Sequence, residues 1–351
     1  MRILIKNATF FVASVLMAMS CTGGHTRSSN SAKESTIDSA LQFTVDTILK
    51  NKMTEINAIS GQVIVMEVAT GEIKAMVGSA KSQESRLVRT ATLLAMLESG
   101  KVALSDTADT NYGIYQMKDT VLKDHNWHKG GYGTLTAKQS LAHSSHIALY
   151  KNVRKSFDSV GAYLNAIDSM GYGLPEEMEG LDSLKAYRRF VSHDSSWDDL
   201  AFFCTGDKQS IFPIQVLTFI NAIANDGRMV RPTLFKREPE TIIPMIASKA
   251  NIDSMQVALR YVITDGLGRR ASSELVEVAG VQGAATISGK HELVEDGDGT
   301  EYAVEFCGYF PAEAPKYSII VSMNKKGLPC SGGGMAGPVF REIVDYMYQR
   351  Y

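Results

Sequence analysis

Strand patterns lie at the two ends of this chain and helical patterns lie between them. Gln62-Val-Ile-Val-Met-Glu-Val68 and Ile73-Lys-Ala-Met-Val77 read as two strands joined by a turn at Ala69-Thr70-Gly71. The C-terminal part returns to strands over about 274–288, 301–310 and 316–324, followed by a helix from about Gly337 to Tyr348. Helical periodicity dominates from about Thr136 to Ile167 and from Pro213 to Asn225. The pattern predicts an α+β fold: a sheet built from both chain ends and flanked by helices, with a mostly helical lobe inserted. The short connections between the C-terminal strands make them antiparallel.

Composition permits such a core. The 351 residues are 44% hydrophobic and 21% charged, enough for one large core or two lobes. A formal net charge of −2 gives no electrostatic footprint for nucleic acid. Beyond the N-terminus no stretch is long and apolar enough to span a membrane.

The N-terminus reads as a targeting segment. Arg2 and Lys6 precede an apolar run from Ala8 to Met19, and Met17-Ala18-Met19-Ser20-Cys21 resembles a bacterial lipobox. The expected division is a lipoprotein-type signal peptide over 1–20, with Cys21 lipidated, a flexible tether over 21–35 and one domain over 36–351. A plain signal peptide cleaved near Ser20 is the other reading, and both export the chain. A lipid on Cys21 would hold it at a membrane surface without a spanning helix. Inside the domain Leu41, Val45, Ile48 and Leu49 form a helical stripe. The other cysteines, Cys204, Cys307 and Cys330, are odd in number, which argues against a disulfide framework. Cys204 and Cys307 lie in apolar contexts and read as small buried hydrophobes.

Ser85-Arg86-Leu87-Val88-Arg89 opens an amphipathic helix that ends at Leu97-Glu98-Ser99-Gly100, with Ser85 as its N-cap. From Thr36 onward the order of landmarks resembles the transpeptidase domain of class B penicillin-binding proteins. Thr36-Ile-Asp-Ser-Ala-Leu-Gln42 is similar to that domain's entry helix. Gly61 to Val77 is similar to its first hairpin, including the Thr70-Gly71-Glu72 turn. Ile211-Phe-Pro-Ile-Gln215, Asn221-Ala-Ile-Ala-Asn-Asp-Gly227 and Pro232 follow its middle segment. Gly308-Tyr-Phe-Pro-Ala312, Pro315 and Met335-Ala-Gly-Pro-Val-Phe-Arg-Glu-Ile343 follow its closing strands and last helix. The resemblance covers about nine tenths of the chain and implies the penicillin-binding, β-lactamase-like fold.

The resemblance also implies three motifs around one cleft, and all three are altered. Arg86 and Arg89 stand where the family has the nucleophilic Ser and the Lys of S-x-x-K. A guanidinium is no nucleophile, and Arg does not give up its proton to act as a base. Ser144 keeps the Ser of S-x-N, with His146 in place of the Asn. Val281, Gln282 and Gly283 stand for K-T-G and keep only the glycine. A literal S-x-x-K, Ser322-Met-Asn-Lys325, sits on an expected strand and reads as coincidence. The expectation is a pseudo-transpeptidase with no intact catalytic residue, acting as a binding or scaffold protein in peptidoglycan synthesis or cell division.

Two alternatives stand beside it. One is an active D,D-transpeptidase or carboxypeptidase that binds penicillin through a displaced Ser85 or Ser144. The other is a reversible ligand sensor, with Arg86, Arg89, Arg269 and Arg270 gathered around an anion. No cofactor or metal is expected. His143 and His146 share a spacing of three but lack a third ligand. His125, Trp127 and His128 read as a solvated loop, and Asp296-Gly-Asp-Gly-Thr300 as a turn rather than a calcium loop. Only a short tether precedes the domain, so the family's N-terminal pedestal is not expected. Expected partners are peptidoglycan stem peptides or division and elongation proteins, at a membrane-anchored position in the bacterial envelope.

Overall fold

The computed structural model describes residues 33–287 and 300–351. The export segment, Cys21, most of the tether and residues 296–299 of the acidic turn lie outside the described residues.

Five long strands make the central sheet: β1 (Ala58–Glu67), β2 (Ile73–Gly78), β3 (Ala279–Thr286), β4 (Glu301–Phe310) and β5 (Tyr317–Lys326). Their spatial order is β3-β4-β5-β1-β2 and every pairing is antiparallel. The chain ends therefore meet in mid-sheet, where β1 pairs with β5 (Val65 opposite Ile319). The β1–β2 turn lies where the sequence puts it. Gly71 has φ +78° there, and a Cβ on it would lie 2.4 Å from the Arg231 carbonyl oxygen, so only glycine fits.

Both faces of the sheet are covered. On one face Val63, Val65, Val321 and Met323 pack with Leu41, Val45 and Leu49 of α1 (Ser39–Glu55) and Phe340 and Ile343 of the last helix, Gly337–Arg350. On the other, Ile64, Met66 and Ile320 pack against α2 (Val88–Glu98) and the helical lobe. Side chains alternate across a strand, so β1 feeds two cores and reads as one apolar run. The lobe holds α3 (Ala137–Ala142), α4 (His146–Ser156), α5 (Val160–Ser169), α6 (Trp197–Thr205), α7 (Pro213–Ala224) and α8 (Lys249–Thr264). The last helix is α9.

Three points depart from the sequence reading. Helix α2 is not amphipathic: all residues from Val88 to Leu97 are buried, the arrangement of a central helix. Ser85 is not its N-cap. The cap position falls on Leu87, and Ser85 turns away to β4. Helices α6 and α8 were not read, although Ile252, Met255, Leu259 and Val262 of α8 form a buried stripe. Cys204 and Cys307 are fully buried and free, as expected of small hydrophobes.

The outer strands of the sheet are closed differently. At β2, Asp38 N–H donates to Lys74 O (2.9 Å). The Gln42 amide accepts from Met76 N–H (2.8 Å) and donates to Met76 O (2.7 Å). The other outer strand, β3, borders the cleft.

Candidate functional site

The turn before α2, the α3–α4 turn and β3 converge at one place. Arg86 lies against β3: a Cβ built on Gly283 would sit 3.1 Å from Arg86 Cβ. Arg89 Nη2 donates to Gln282 O (2.8 Å), and its Nε donates to Arg86 O (2.7 Å). Gln282 Nε2 donates to Ser144 Oγ (3.1 Å). The structure thus brings together Arg86, Arg89, Ser144, Gln282 and Gly283. Val281 is not among them: it is fully buried in the core on the α2 side of the sheet, where it offers no polar group.

Both arginines are held by structural bonds. Arg86 Nη2 pairs with Asp207 Oδ1 at 2.7 Å, and Nη1 donates to Thr205 O (3.2 Å). Gly206 leaves room for this pairing, since a Cβ there would lie 2.6 Å from Arg86 Cα. Arg89 is 2% exposed. Burial, then the charge of Arg86, pulls its guanidinium down to about 9, while Asp207 and Glu305 oppose the fall.

A second layer of polar groups lies beneath. Ser85 is buried; its Oγ donates to Glu305 Oε2 (2.6 Å) and accepts from Leu87 N–H (3.3 Å). Glu305 on β4 faces Gly283 on one side and Ser322 on the other. Ser322 Oγ donates to Glu305 Oε1 (3.3 Å), and Gln83 Nε2 reaches both Ser322 Oγ (3.0 Å) and Glu305 Oε1 (3.4 Å). Desolvation pushes the Glu305 carboxyl up to about 7 against these bonds and the charge of Arg89. Glu84, half-buried beside Asp207, is also raised to about 7, by burial first and the Asp207 charge second. The literal S-x-x-K is split here. Ser322 belongs to this network, whereas Lys325 Nζ caps the Gly327 and Pro329 carbonyls.

The α3–α4 turn is built by residues the sequence reading passed over. Ser145 caps α4 by accepting from Ala148 N–H (3.1 Å), and donates to Asp124 Oδ2 (2.7 Å). Asp124 Oδ1 accepts from Ile147 N–H (3.1 Å). Ser144 is forced to φ +58°. His146 opens α4. Desolvation, then the charges of Arg86, Arg89 and His125, holds it well below the usual imidazole range. His143 instead closes α3 and stacks on Tyr132 with ring centroids 5.3 Å apart. His125 Nε2 lies 3.1 Å from Tyr132 Oη. Arg269 acts on His143 from an exposed turn, and Arg270 is exposed beside it, whereas Arg86 is part-buried and Arg89 is buried. His125, Trp127 and His128 are exposed, as expected of a solvated loop. Glu305 had a sequence signal: it is the one charge inside the apolar run Tyr302 to Phe310.

These landmarks match a known domain. The family model for the penicillin binding protein transpeptidase domain matches residues 61–345. The chain belongs to that family. It is 24% identical over 324 residues to the probable peptidoglycan D,D-transpeptidase PenA of Neisseria flavescens, covering 82% of this chain and 75% of that protein. It is 26% identical over 256 residues to penicillin-binding protein 1A of Aquifex aeolicus, where the match covers 63% of this chain and 30% of the relative's length. The transpeptidase domain of Burkholderia pseudomallei penicillin-binding protein 3 shares the fold. Its TM-score is 0.79 at 23% identity, over 90% of this chain and 96% of that one.

Proposed function

We propose that this domain is a pseudo-transpeptidase of the bacterial cell envelope that works in peptidoglycan synthesis or division as a binding or scaffold protein. The observation that carries the reading is the state of Arg86 and Arg89. Each occupies a position that needs a nucleophile or a proton acceptor, and each is tied down by an ion pair or by backbone carbonyls. Neither group supplies the lone pair that acyl transfer requires. Loss of a serine hydrolase's nucleophile costs on the order of 10⁶ in rate. Of the displaced serines, Ser85 is sealed from solvent. Ser144 Oγ is engaged by Gln282. A lipid on Cys21 would keep the domain at a membrane surface, where wall stem peptides or division and elongation proteins are its natural partners.

One observation favours a second reading. The 2.6 Å contact between Ser85 and a carboxyl poised near 7 is the pairing of a hydroxyl with a general base. The purified protein is exposed to a fluorescent penicillin and run on a denaturing gel. No labelled band, alongside a cooperative melt, is expected. A band that disappears in Ser85→Ala or Ser144→Ala establishes an active enzyme and removes the scaffold reading.

A further inference from the structure

A second concavity lies between the hairpin Ile114–Gln116/Val121–Lys123, helix α4 and the start of α6. Its volume is about 480 Å³, within the few hundred to about 1,000 Å³ usual for small-molecule sites. Tyr115, Tyr150 and Trp197 supply its rings. Tyr115 and Tyr150 have centroids 6.2 Å apart. The Arg154 guanidinium is stacked 4.0 Å over the Trp197 ring. That stacking holds a planar fork of N–H donors in a fixed plane. The acceptors are Asp119 and Asp198, and Asp198 Oδ2 is itself oriented by Asp119 N–H (2.9 Å). Nothing in the transpeptidase chemistry uses these residues.

The charges lining the concavity cancel: Lys118 and Arg154 against Asp119 and Asp198. A site for an ion would carry an excess of one sign. This one offers half-buried ring surface together with fixed donors and acceptors of both kinds. Such a surface suits a neutral molecule with apolar C–H faces and many hydroxyl or amide groups. We infer that this concavity is a binding site for a neutral saccharide, with the Tyr115 ring packing on a sugar face, and Arg154 (held on the Trp197 ring), Asp119 and Asp198 bonding hydroxyl or N-acetyl groups. The inference is independent of whether the cleft is active.

The sequence holds two tryptophans, Trp127 and Trp197. Trp127→Phe therefore leaves Trp197 as the sole indole reporter. Titrating that variant with the N-acetylglucosamine tetramer is expected to give a saturable change in emission, insensitive to added salt. Calorimetry on the otherwise unaltered protein is expected to show binding weakened several-fold to about tenfold by Tyr115→Ala, and similarly by Arg154→Gln, with melting curves still cooperative. A flat titration overturns the proposal. So does tetramer binding that Tyr115→Ala and Arg154→Gln leave unchanged, which would place the sugar elsewhere. A salt-sensitive response to a carboxylated peptide in place of the sugar overturns it as well.

Discussion

At the β2 edge of the sheet, open backbone groups meet neutral partners; at the β3 edge they meet a guanidinium. Gln42 satisfies both the N–H and the carbonyl of Met76 with one amide. Arg89 reaches the Gln282 carbonyl with a group that is charged and 2% exposed. An amide matches an edge with little dependence on pH. A buried cation must be offset electrostatically, and its neighbours feel its charge: desolvation raises the Glu305 carboxyl and lowers the His146 imidazole, and the charge of Arg89 opposes the first shift and adds to the second. The family resemblance assigns the β3 edge to substrate. Here that edge is closed by the molecule's own side chain.

The largest effect is expected from Arg89→Ala. It leaves the Gln282 carbonyl without its guanidinium donor, leaves the Arg86 carbonyl only the longer bond from Arg89 N–H (3.4 Å), and opens a cavity, for a loss of about 3 kcal/mol by denaturant unfolding. A loss below about 1 kcal/mol would remove the edge-closing role.

Next comes Glu305→Gln. Burial pushes the folded carboxyl up to about 7, whereas the unfolded one keeps the ordinary value of 4.5. The folded state therefore holds the proton more tightly across that window. Its contribution is full at low pH and is lost as pH rises from about 4.5 through about 7. The variant should gain on the wild type over that range by on the order of 1–3 kcal/mol, read from unfolding curves at several pH values. A constant difference between the two proteins would place the charge of Glu305 outside the network.

Gln42→Ala should cost about 1–2 kcal/mol at the opposite edge, with no pH dependence over the same range. A pH-dependent loss would erase the contrast between the edges. The smallest change is expected from Ser144→Gly. Release of the φ +58° backbone and loss of the Gln282 contact act in opposite directions, leaving a net shift below about 0.5 kcal/mol in the melt.

Much of the fold was legible. β1 alternates Val63 and Val65 with Ile64 and Met66 into two cores, and a strand buried on both faces leaves a continuous apolar run. Helix α2 misled for the related reason that a central helix has no polar face to set its phase. Its start was also misplaced, since Ser85 bonds to a carboxylate 220 residues away rather than to its own helix. The partners of Arg86 and Arg89 were out of reach because Asp207, Gln282 and Glu305 come from three distant segments.

By itself the sequence determined the α+β order, a sheet built from both chain ends and the residue types at the three motif positions. Those features follow from local periodicity and from chemical identity, which a side chain carries wherever it lies. Only the tertiary structure decided that Arg86 is neutralised by Asp207, that Arg89 closes β3 and that Glu305 titrates near 7. Ion pairing, desolvation and edge closure depend on distances between segments far apart in the chain, and packing alone sets those distances.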